Sequence, residues 1–167
     1  MDFENIYKSR KVVIEMLQLR GYDTSKYDSQ TKEELNILYQ QHGSKGNSEI
    51  DTLDIIVENN EKLFVKYINS NKIRNQIIIN TIDEIYESDI LDKEDILIII
   101  TKDKVSYQGA LEEHINRIFY KDAIFAQILW LNSLMFNITE HDLVPKYRIM
   151  NLDDKKELLD KLYLDNE

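Results

Sequence analysis

Cysteine is absent from this chain, which rules out disulfides and thiolate metal sites and leaves a reducing compartment allowed. Proline occurs once, at Pro145, and the four glycines are scattered, so neither a phosphate-cradling glycine loop nor a nucleophile elbow is present. Long apolar runs are missing too. The longest, "ILIII" at 96–100, is far too short to span a bilayer. The start, "MDFENIYKSRK", is acidic and lacks the apolar stretch of a signal peptide. Basic residues are outnumbered, 21 Lys and Arg against 31 Asp and Glu, for a net charge of −10. Displacing phosphate counterions needs Lys and Arg, so the chain is a poor free-standing nucleic-acid clamp. A local basic contact within a larger assembly is still allowed. These absences predict a soluble, intracellular protein without membrane attachment.

What is there suffices for a core. With 167 residues, 43% apolar and 10% aromatic, the chain can build one good domain, or one domain and a small appendage. The spacing of Ile6, Val13, Met16 and Leu17 predicts a helix over 4–19 closed by Gly21. Thr31 and Glu34 form a capping box for a second helix, with Leu35, Leu38 and Tyr39 inward and Gly43 at its end. The period then changes. "TLDIIVENNEKLFVKYI" reads as a hairpin turning at Asn59 and Asn60 with type I′ character. Ile78, Ile82 and Ile85 mark a helix, and "DILIIIT" suits a strand buried on both faces. Ser106 is the expected N-cap of a helix with Leu111, Ile115 and Ile118 inward, and "AIFAQIL" reads as a strand, with a helix fitting almost as well. The order implies an α/β (α+β) fold: N-terminal helices, then a small mixed sheet covered by helices. "NLDDKKELLDKLYLDNE" is an amphipathic helix with Asn151 as N-cap, carrying Leu152, Leu159, Leu162 and Tyr163 on one face. A single helix with one such face needs a partner surface.

Four patterns invite chemistry. "NIT" at 137–139 matches the glycosylation sequon, an incidental match without an export signal. His141, between Glu140 and Asp142, invites a metal reading. Adjacent side chains diverge, however, and His42 and His114 lie in unrelated segments, so a structural role is preferred and no metal is expected. Asp54 and Lys66 fall where a metal-dependent nuclease carries an Asp on one strand and an acid-x-Lys on the next. The acid position is Phe64, however, so Glu58, beyond the turn, would have to substitute. The favoured expectation is no catalytic residues and no cofactor. Finally, "TKDKVSYQ" joins the buried strand to a helix, and Lys102, Lys104 and Ser106 with the first helical N–H groups could hold a phosphate.

"NITEHDLVPKYRIMNLDDKKELLDKLYL" closely resembles the start of the C-terminal assembly domain of one family. This is the small jaw subunit shared by eukaryotic RNA polymerases I, II and III, whose C-terminal part is similar to a small archaeal RNA polymerase subunit. The family's N-I-T-x-H-x-L-V-P pattern and following E-L-L helix are matched by Asn137, Ile138, Thr139, His141, Leu143, Val144, Pro145, Glu157, Leu158 and Leu159. Arg10, Met16, Leu17, Arg20, Gly21 and Tyr22 look like its opening helix. The resemblance spans the chain, with its specific motif between 137 and 159.

The resemblance implies a non-catalytic polymerase subunit. Residues 1–134 would be a restriction-endonuclease-like jaw beside downstream duplex DNA, and residues 135–167 the start of an assembly domain. Asn137, Thr139, His141, Leu143, Val144, Pro145, Leu152, Leu159 and Leu162 would dock on the largest subunit. The family's DNA-approaching T-P-S-A segment falls on Ser106, Tyr107, Gln108 and Gly109, where only Ser106 is conservative. Lys102, Lys104, Ser106, Tyr107 and Gln108 are accordingly the candidate DNA contacts. The family's second histidine is Tyr147 here, and the chain stops at Glu167, before the family's L-P-R-I segment. That reads either as a shortened form, as in a large DNA virus, or as a chain whose C-terminal part is missing. Expected localisation is the nucleus if cellular, or the virion or host cytoplasm if viral. A homo-oligomer is not expected. A divergent Mg²⁺ nuclease and a free adaptor that binds polymerase are the rival readings.

Overall fold

The computed structural model describes residues 2–42, 53–68, 73–138, 144 and 152–162. The chain forms two compact units, Met1–Asn137 and Ile138–Glu167. In the first, α1 (Phe3–Leu19), a short α2 (Ser25–Asp28) and α3 (Lys32–His42) precede β1 (Ile55–Glu58) and β2 (Lys62–Ile68). Then come α4 (Asn75–Glu87), β3 (Ile96–Thr101), α5 (Ala110–Asp122), β4 (Phe125–Trp130) and a 3₁₀ turn (Leu131–Leu134). The second unit contributes α6 (Leu152–Leu162). No helix among the described residues is long and apolar enough to cross a membrane.

The helix ends follow from local chemistry. Asp2 caps α1 through the Glu4 N–H. At its other end Gly21 takes φ +85°, which an L side chain resists, and this lets Gly21 N–H bond Gln18 O and Tyr22 N–H bond Leu17 O. Thr31 and Glu34 form the predicted reciprocal capping box at 2.9 and 3.2 Å. The predicted stop at Gly43 lies outside the described residues.

The sheet has the order β1-β2-β3-β4, with β1/β2 antiparallel and the other two pairs parallel. Strand alternation builds one core on each face. Ile55, Val57, Leu63, Val65, Tyr67, Ile98 and Ile100 meet α1, α3 and the 3₁₀ turn. Phe64, Ile68, Leu97 and Ile99 meet the inward faces of α4 (Ile78, Ile82, Ile85) and α5 (Leu111, Ile115, Ile118). Each fully buried aliphatic contributes about 1.5–3 kcal/mol, which is why β3 is continuous isoleucine and leucine.

Two local expectations are corrected. The hairpin pairs Glu58 with Lys62, leaving Asn59, Asn60 and Glu61 as a three-residue loop. A type I′ turn needs two consecutive residues at positive φ. Among described non-glycine residues only Asp89, Glu94 and Ala123 have it, so neither asparagine does. Helix α5 starts at Ala110, not after Ser106: the N-cap is Gly109 at φ +63°, and residues 104–108 run without regular structure. The ambiguous segment "AIFAQIL" is a strand, because its backbone completes the ladder beside β3.

Candidate functional site

On the β1 side of the sheet lie the buried polar residues Arg10, Asp54 and Lys66. Lys66 Nζ lies 2.8 Å from Asp54 Oδ2, with the Asp54 side chain fully buried and that of Lys66 8% exposed. Asp54 immediately precedes the β1 ladder, and continuing the register past Ile55–Val65 places it across from Lys66. The fold thus brings together the two residues that suggested a nuclease. Phe64, in the acid position, is 1% exposed among the isoleucines of α4 and the leucines of the second core. Glu58 cannot substitute. It sits exposed at the far end of β1, roughly 13 Å along the strand from Asp54. Mg²⁺ takes octahedral oxygen ligands, whereas this carboxylate is held by an ammonium group. Among the described residues, no three His, Asp or Glu side chains gather as a metal site. His114 is engaged by Asp83 at 3.0 Å and Arg117 at 2.6 Å.

Nearby, buried Arg10 reaches from α1 to donate to Leu53 O and Gln30 Oε1, and lies 5.2 Å above the Tyr27 ring. Burial lowers the Arg10 pKa and pushes the Tyr67 phenol up to about 12. Tyr67 shares a 3.3 Å hydroxyl contact with Ser9. The Tyr27 hydroxyl accepts from Ile56 N–H at 2.8 Å and donates to Ile56 O at 3.0 Å. All of these contacts fasten the helical layer to the start of the sheet.

The β4 side is finished differently. The loop after β3 leaves Lys104, Ser106, Tyr107 and Gln108 exposed and Lys102 half-buried. Val105 anchors it against the second core, and Ser106 O accepts from Asn75 Nδ2 at 3.3 Å. Because α5 begins only at Ala110, its first N–H groups are separated from Ser106 by Tyr107, Gln108 and Gly109, and the expected capping anion site is not built around that serine. Lys104 and Tyr107 instead overhang a groove of about 500 Å³ whose floor is β4. Phe125 and Trp130 of that strand are 52% and 39% exposed. Sequence reasoning missed this groove. Its signal was that "FAQILW", though a strand, has neither charge nor proline to blunt an edge.

Of the predicted docking residues, Asn137 is buried at the end of the first unit and Val144 is half-buried. Thr139, His141, Leu143 and Pro145 lie outside the described residues. Leu152, Leu159 and Leu162 belong to α6, where Leu159 is half-buried and Leu158 is 40% exposed. The side chains of Leu152 and Leu162 lie outside the description.

Residues 136–167 match the family described as RNA polymerase Rpb5, C-terminal domain. Over 168 aligned residues the chain is 24% identical to "DNA-directed RNA polymerases IV and V subunit 5B" of Arabidopsis thaliana, covering 96% of this chain and 70% of the relative.

Proposed function

From this divergent homology to the Rpb5 family, carried by the C-terminal match, we propose that the chain is a non-catalytic structural subunit of a multisubunit DNA-directed RNA polymerase. Asn137, Thr139, His141, Leu143, Val144 and Pro145, with Leu152, Leu159 and Leu162 of α6, dock on the largest subunit. The first unit is then a jaw that flanks downstream duplex DNA and presents Lys102, Lys104, Ser106, Tyr107 and Gln108 to it. A sheet covered by helices on both faces, with Asp54 and Lys66 paired and Phe64 in the acid position, supports a restriction-endonuclease-like jaw without nuclease chemistry. An acidic subunit is tolerable there because the assembly supplies most of the DNA affinity. Its place is the nucleus in a cell, or the virion or host cytoplasm for a virus.

The observation that carries this reading is the match over residues 136–167. The test is co-purification. The wild-type chain should appear at one copy per largest subunit, and His141→Ala/Pro145→Ala should lose that incorporation while the first unit keeps its near-UV circular dichroism. Normal incorporation of the double variant would overturn the docking assignment. A substoichiometric presence would make the chain an adaptor rather than a subunit.

A further inference from the structure

We infer that β4 is an acceptor edge for an extended, acidic-apolar strand of another protein, a reading that does not rest on the polymerase role and competes with its DNA contact for Lys104 and Tyr107. The backbone settles which groups are available. Phe125 N–H bonds Asp95 O, and Leu129 O accepts from Thr101 Oγ1, so the odd residues of β4 turn toward β3. Residues along a strand alternate in this respect. The N–H and C=O groups of Ala126 and Ile128 therefore point outward, where they have no partner among the described residues. Only the next carbonyl, Trp130 O, is satisfied, by the Ser133 hydroxyl at 2.6 Å.

An added strand is the ligand whose donors and acceptors repeat at this spacing. The groove beside the edge fixes its side chains. Val105, Tyr107, Ile128 and Trp130 offer apolar contact, Lys104 offers a cation, and no acidic residue lines it. A carboxylate near Lys104 with apolar neighbours at alternate positions is the complement. A second copy of this chain is a poorer fit. Its own β4, "FAQILW", brings no carboxylate to Lys104.

The test is amide hydrogen exchange on the ¹⁵N-labelled full chain, titrated with a short acetylated and amidated peptide alternating valine with glutamate and threonine. Saturation should slow exchange at Ala126 and Ile128 about tenfold, and the same peptide N-methylated at every residue, which leaves no N–H donor on either edge, should do nothing. Ala126→Pro, which removes an outward N–H without costing a bond to β3, should abolish the protection. Should that variant misfold, Lys104→Glu keeps the test alive, since it should switch the preference from the glutamate peptide to its lysine counterpart. The proposal is overturned by equal binding of the N-methylated peptide, or by an unchanged charge preference in Lys104→Glu. It is equally overturned if a DNA duplex protects the same amides in place of the peptide, or if they become protected by self-association as the concentration of chain alone rises.

Discussion

At the β1 edge, one tyrosine hydroxyl occupies both outward backbone groups of Ile56. A buried arginine then ties the incoming chain at Leu53 to α1, and a buried ion pair stands where the strand begins. At the β4 edge the outward groups of Ala126 and Ile128 have no partner among the described residues, and they are flanked by exposed Phe125 and Trp130 beside Lys104 and Tyr107. A polar side chain covers the outward backbone groups of the β1 edge, and no described residue does so for Ala126 and Ile128 at the β4 edge. Stability should therefore reside in the polar groups near β1, and recognition in those near β4.

The largest break in that contrast is Asp54→Ala. It removes the carboxylate 2.8 Å from the buried Lys66 ammonium, and losing one member of such a pair costs about 3–5 kcal/mol. Chemical denaturation should show a loss of that size. Asp54→Ala/Lys66→Met should recover much of it, since an apolar pair of similar volume removes the buried charge together with the carboxylate. A double variant no more stable than Asp54→Ala would show that the pair has a further structural part.

Next comes a pH effect on the same side. Tyr67 ionises near pH 10 in the unfolded chain and only at about 12 in the fold, because burial disfavours the phenolate. The raised folded value means the neutral form is favoured natively. Stability is thus fully present below pH 10, falls as pH rises through the window from 10 to about 12, and does not fall further on this account above it. The total is roughly 2–3 kcal/mol. Tyr67→Phe should make the stability profile less steep in that window. An unchanged slope would mean the phenol is reached by water.

How much of this was legible beforehand depended on whether one stretch of chain carried the signal. The isoleucines of α4 and β3 announced their elements by period, and Thr31 with Glu34 announced a cap, because each pattern is local. Asp54 and Lys66 were singled out by hairpin logic, and the register placed them together. The Asn59–Asn60 turn failed because Glu61 also joined the loop, a choice set by pairing across the hairpin. Ser106 failed as a cap because Val105 is drawn onto the core, and the chain needs Gly109 at positive φ to enter α5. Arg10 and Tyr27 were invisible as edge fasteners. Their partners lie 43 and 29 positions away in sequence, and nothing local marks them.

A smaller effect tests the closed edge directly. Tyr27→Phe keeps the ring under Arg10 but leaves the Ile56 N–H and C=O without their hydroxyl partner. The cost should be about 1–2 kcal/mol, and the Ile56 amide should exchange faster while those of β3 do not. If Ile56 exchange is unchanged, the hydroxyl is not what closes this edge.

The smallest expected change concerns the open edge. Gln127 is exposed in the middle of β4, and its backbone faces β3, so Gln127→Lys touches neither the ladder nor the core. Its effect on denaturation should stay within about 0.5 kcal/mol. A lysine in the middle of an uncharged edge strand is nevertheless the device natural sheets use to repel an incoming strand. The variant should therefore keep its stability and lose protection by the glutamate peptide only in part, since the new cation also attracts carboxylates. Ala126→Pro, which removes the hydrogen bond itself, should lose all of it. This ordering separates backbone pairing from charge attraction. If Gln127→Lys binds the peptide more tightly than the wild-type chain while Ala126→Pro binds it undiminished, the β4 surface is an electrostatic patch, and its hydrogen-bonding edge plays no part in recognition.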